Sequence, residues 1–310
     1  MNQAFAFAKT LLTRFLLVCV LSLPAIDIAS AEVVVAVIDS GVLADQAPLK
    51  GRLLPGYDFV SGAKNLKGGR SSDFSPDAAD ARCDGVNPSP ASYTHGTDVA
   101  SLIASMQQDK GDLSDRHRAV KILPVRLFGA CGMSRTDLLD ALAWAAGLPV
   151  ANVPINPHPA QVINLSLAGG RSSCGADLQA LVQHLLKKQV FIVAAVGNSY
   201  GQKLAEPANC EGVISVGAVD PENRIENYSA LDARTVIYAP GRTPHAMGTS
   251  YAAPLVSGFI SMLLTQQPRM TPADFQALLP QFSKAIKPVA QCPACSPRGL
   301  WMSSLQTLQP

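Results

Sequence analysis

The chain has 310 residues, 48% of them hydrophobic and 15% charged, with a formal net charge of +2. That balance is too apolar for a disordered chain and too near neutrality for the electrostatic footprint of a nucleic-acid binder, and the length suits one sizeable core. No internal repeat or low-complexity linker divides it.

In chain order, residues 1–31 have the features of an export signal. Lys9 and Arg14 carry positive charge, Phe15 to Leu23 form an apolar core too short to span a bilayer, and Ala29-Ser30-Ala31 is a cleavage site. Cys19 follows Val18, which is not small as a lipoprotein signal requires, so it is discarded with the signal. The expected mature domain is 32–310, without a further membrane span.

Val33 to Ile38 is an unbroken β-rich run, the pattern of a strand buried on both faces, and it ends in Asp39. The stretch 70–85 then gathers Asp73, Asp77, Asp80 and Asp84 around Cys83. Clustered loop carboxylates suit a hard cation such as Ca²⁺, and solvated loop acids would look the same. His95 precedes a helix with Ala100, Ile103 and Ala104 on one face. Asp137 to Ala146 is a second helix.

Ala176 to Gln189 places Leu178, Leu181, Val182, Leu185 and Leu186 on one helical face and feeds the strand Val190 to Val196. That strand ends in Gly197-Asn198-Ser199. Val213 to Ala218 is a further strand. Gly248-Thr249-Ser250-Tyr251-Ala252-Ala253-Pro254 opens a helix with Leu255, Val256, Phe259 and Met262 on one face, and Thr271-Pro272 opens a last one. Strands alternating with helices predict an α/β fold, a mainly parallel sheet with helices on both faces.

A serine hydroxyl becomes a useful nucleophile only when an imidazole takes its proton and a carboxylate holds that imidazole in the right tautomer. Asp39, His95 and Ser250 supply the three groups at a strand end and two helix starts. Singly, each is an ordinary turn, structural or loop residue. Together, in the order Asp, His, Ser, they make the chain resemble the subtilisin-like (subtilase) serine peptidases with their three-layer fold.

The resemblance implies hydrolysis of peptide bonds through an acyl-enzyme, and assigns Asn198 as the oxyanion donor. It makes Ser166, Leu167, Ala168 and Gly169 the edge that pairs with an extended peptide, and Ala195, Val196 and Gly197 the wall of the primary pocket. No charge lies among them, so a neutral or apolar P1 residue is expected, in a cleft narrowed by Ala168 where many relatives have glycine. No cofactor is implied for the chemistry; Ca²⁺ would be structural.

The six cysteines left after signal removal leave the pairing open. The segments 124–132, 162–170 and 206–210 resemble the disulfide-containing extracellular subtilases of Gram-negative bacteria. That likeness implies Cys83–Cys131 and Cys174–Cys210, leaving Cys292 with Cys295, and a periplasmic or secreted location. Subtilases usually carry a propeptide and an N-terminal arm, yet Glu32 precedes Asp39 by only seven residues (39 − 32 = 7). A separate chaperone, inhibitor or partner protein is therefore expected in their place. A processing protease dependent on that partner, or a non-catalytic binding module, are the alternative readings.

Overall fold

A computed structural model describes residues 32–62, 69–76, 90–106, 120–129, 132–169, 171–286, 292 and 298–300. Strand β1 (Val33–Asp39) is its axis. Every residue of β1 is buried, and its side chains alternate between two cores: Val33, Val35 and Val37 face one, Val34, Ala36 and Ile38 the other. An alternating pattern would have meant one wet face; the continuous apolar run means none. Each buried valine or isoleucine side chain contributes about 1.5–3 kcal/mol relative to exposure.

The sheet continues with β2 (Tyr57–Asp58), β3 (Val120–Arg126), β4 (Val162–Leu165), β5 (Phe191–Ala195), β6 (Ile214–Val219), β7 (Ile237–Pro240), β8 (Ser283–Ala285) and β9 (Arg298–Leu300). Their spatial order is β2-β3-β1-β4-β5-β6-β7-β9-β8, parallel throughout except for the β8–β9 pair. From β1 the chain therefore runs to one side for β2 and β3, and to the other from β4 onwards. Such a reversal opens a crevice beyond the carboxyl ends of the strands.

Three helices cover one face: α1 (Pro90–Ser105), α4 (Thr249–Gln266) and α5 (Pro272–Phe282), through residues such as Ile103, Phe259 and Phe275. Helices α2 (Arg135–Ala145) and α3 (Ala176–Lys187) cover the other through Leu138, Leu142, Leu178 and Val182. The start of α5 is set by a capping box between Thr271 and Asp274, with Pro272 at a first-turn position that needs no N–H.

Strand β3 was not legible because Lys121 and Pro124 interrupt its apolar run. Ile122 bonds outward, to Arg52 and Leu54, so the missing N–H of Pro124, two residues on, faces the same outer side. The ladder to β1 therefore loses nothing.

Cys174 and Cys210 are joined in a disulfide across 36 residues. Closing a loop of that size constrains the unfolded chain by about 2–4 kcal/mol. Cys292 is also disulfide-bonded. Cys295, Cys83 and Cys131 lie outside the described residues. Among the described residues no helix is long and apolar enough to cross a membrane.

Candidate active site

Asp39 closes β1 at the mouth of the crevice and is 2% exposed. Its Oδ1 lies 2.8 Å from His95 Nδ1 and accepts the Ser40 N–H at 2.7 Å. The approach depends on Gly96: a Cβ there would lie 2.4 Å from the Gly41 carbonyl oxygen and 3.0 Å from Asp39 Cβ. Only glycine lets α1 come this close to the strand end.

The imidazole also meets the Tyr251 ring edge-to-face, with ring centroids 5.7 Å apart. Burial alone would lower the affinity of His95 for a proton. The charge of Asp39 and its hydrogen bond, helped by Asp98 one turn along α1, outweigh it and hold the imidazole above its ordinary value.

Ser250 is the second residue of α4, facing β4 from across the crevice. Its hydroxyl donates to the Ser166 carbonyl at 3.0 Å, and the Ser166 hydroxyl donates back to the Ser250 carbonyl at 2.8 Å. The second bond has a local cause. Pro254, four residues on within α4, has no N–H to give the Ser250 carbonyl, and the Ser166 hydroxyl fills the vacancy. Asn164 Nδ2 donates to Ser166 Oγ at 3.0 Å and Asn164 Oδ1 accepts from Ser257 at 2.8 Å, so a buried polar chain ties β4 to α4. Among the described residues no hydrogen bond joins Ser250 to His95.

Asn198 follows β5 and is fixed through its oxygen, which accepts the Thr249 N–H at 2.9 Å and the Thr249 hydroxyl at 3.0 Å. Its Nδ2 has no acceptor among the described residues, nor has the Ser250 N–H, an amide of the first turn of α4. Two donors without an acceptor among the described residues thus lie at the head of α4, the positive end of a helix.

The edge segment lies just past β4. Ser166 and Leu167 are buried, whereas Ala168 and Gly169 are exposed. Gly169 donates to the Glu206 carbonyl at 3.0 Å, while the N–H and C=O of Ala168 are free among the described residues. Glu206 in turn is nearly buried and pairs with Arg135, which also holds Asp177. Ala195 and Val196 are buried in the wall behind, and Gly197 is partly exposed.

Of the carboxylates in the loop 70–85, Asp73 accepts from the N–H and hydroxyl of Ser75. Asp77, Asp80 and Asp84 lie outside the described residues. Among those described, no cluster of three His, Cys, Asp or Glu side chains could hold a metal ion.

The contacts that Thr249, Asn164, Ser257, Pro254 and Asp98 make around these side chains were not read from the sequence. A proline inside a helical pattern and an acid at His95 + 3 were the readable signals. Asn164 and Ser257 offered none, because a small polar residue inside an apolar run has no diagnostic spacing.

A parallel sheet of this order, with a carboxylate–imidazole pair at its switch point and a serine opposite at a helix start, is the architecture of the subtilisin-like proteins. The chain belongs to the subtilase family, whose model matches residues 30–288. It is 33% identical over 290 residues to an extracellular protease of Xanthomonas campestris pv. campestris, covering 85% of this chain and 49% of that protein. It is 34% identical over 278 residues to an extracellular basic protease of Dichelobacter nodosus, covering 80% and 46%. The chain spans about half the length of these curated relatives. Among solved structures, a protease of Pseudoalteromonas arctica PAMC 21717 superposes with a TM-score of 0.75 at 27% identity, covering 90% of each chain.

Proposed function

We propose that this chain is an exported serine endopeptidase, its domain 32–310 following a signal at 1–31, that hydrolyses protein or peptide substrates through Asp39, His95 and Ser250. The observation that carries the reading is the buried Asp39–His95 pair at the sheet's switch point, with Ser250 at the head of α4. The extracellular proteases among its relatives support export to the periplasm or beyond.

The resting Ser250 hydroxyl first turns from the Ser166 carbonyl to His95. His95 Nε2 takes the hydroxyl proton as Oγ attacks the substrate carbonyl, and Asp39 stabilises the imidazolium. Asn198 Nδ2 and the Ser250 N–H donate to the oxyanion. His95 returns the proton to the leaving amine, which departs and leaves an ester on Ser250. Water then attacks that ester, giving one proton to His95, and the acid product leaves as Ser250 regains its proton. A separate chaperone or inhibitor would dock along the 166–169 edge.

A fluorophosphonate should label the purified protein at Ser250, phenylmethylsulfonyl fluoride should block that labelling, and Ser250→Ala should abolish it. Labelling that survives in Ser250→Ala would remove Ser250 from the role.

Catalysis needs the neutral imidazole. Since His95 is held above its ordinary value of 6.5, the acidic limb of kcat/KM against pH is expected above that value. Asp98→Asn takes away one charge that favours the imidazolium, so the limb should move to lower pH. A limb that stays in place would show that Asp98 does not act on the imidazole.

A further inference from the structure

We propose that Ala168 closes the P1 slot to all but the smallest side chains, so that the substrates of this site are peptides with glycine or alanine at P1; this rests on the peptidase reading above. On that reading, a P1 side chain passes between the 166–169 segment and the wall that ends in Gly197. A methyl built on Gly197 would lie 3.1 Å from the methyl of Ala168. The Ala168 methyl is therefore within about 4.6 Å of the Gly197 α-carbon, one C–C bond of about 1.5 Å further.

An atom sandwiched between two carbons needs about 3.5–4.0 Å on each side, so the walls would have to stand about 7–8 Å apart to admit any part of a side chain beyond its β-carbon. The observed gap is well short of that.

The gap is also held on both sides. Gly197 donates its N–H to Thr249 Oγ1 at 3.1 Å and accepts the Ala230 N–H at 3.0 Å. Behind this wall Val196, Leu204 and Ala230 make a small buried cluster. On the facing side, Ser166 is locked reciprocally to Ser250 and Gly169 is bonded to Glu206, so Ala168 stands between two fixed points. The free N–H and C=O of Ala168 still leave the peptide backbone a place to pair.

The test uses one series of peptidyl p-nitroanilides that differ only at P1 (Gly, Ala, Val, Leu, Phe), with reactive Ser250 counted in every protein by fluorophosphonate titration. Per reactive site, kcat/KM for alanine should exceed that for phenylalanine by about 100-fold or more, as a steric pocket can achieve. Ala168→Gly should raise the Phe/Ala ratio about tenfold or more, and Ala168→Val should depress alanine relative to glycine. A labelled wild-type protein that cleaves after phenylalanine as well as after alanine, that cleaves after none of the small residues, or whose Phe/Ala ratio ignores Ala168→Gly, overturns the slot and leaves the peptidase reading standing. Absence of labelling overturns both.

Discussion

Ser250→Ala and His95→Ala are each expected to lower kcat by about 10⁶, and the double variant to fall no further. This is the scale that subtilisin itself sets for loss of its serine or histidine, and the reason is chemical. A hydroxyl without its base is as inert as an absent hydroxyl, so the two deletions remove one function between them. Asp39→Asn should cost less, about 10⁴, because it disturbs the tautomer and the imidazolium without removing either reacting group. Turnover of one amide substrate by the purified variants checks the pattern. Losses that multiply in the double variant would mean that Ser250 and His95 act in separate steps.

Asn198→Leu is expected to lower kcat by about 10²–10³ and leave KM nearly unchanged, the magnitude that subtilisin shows for its own oxyanion asparagine. The geometry here accounts for the split. Thr249 saturates the amide oxygen from two sides, so Nδ2 is aimed before substrate arrives and meets its full acceptor only when the carbonyl becomes an oxyanion. Such a bond is made in the transition state and hardly at all in the ground state. Steady-state kinetics on both proteins decides. A rise in KM at constant kcat would make Asn198 a substrate contact instead.

What could be read from the chain followed from whether a residue advertises its surroundings. Strand β1 was legible because six consecutive apolar residues admit no wet face, and α3 because its leucines repeat at helical spacing. Asp39, His95 and Ser250 stood out only in one another's company. The very short strands β2, β8 and β9 were not, since two or three residues carry no periodicity. The link from Ser166 to Ser250 was hidden for a different reason. The proline that creates the need is four residues from Ser250, while the hydroxyl that answers it is 84 residues away, and only the packing of α4 across β4 brings them together. Likewise Ala168 could be flagged as larger than glycine, but its distance from Gly197 depends on how two separate strands end.

The place of α4 sets a timetable. Asp39 and His95 lie in the first third of the chain and can meet once β1 and α1 have formed. Ser250 is made 211 residues after Asp39 (250 − 39 = 211) and reaches them only when α4 settles across β1, β4, β5, β6 and β7. On the proposed reading, a chain of which only this first third has been synthesised holds His95 and Asp39 but not Ser250, and could not yet cut its neighbours. Contacts of such long sequence separation form slowly. On that reading the nucleophile is the last of the three groups to be delivered, after most of the sheet that holds it has been synthesised.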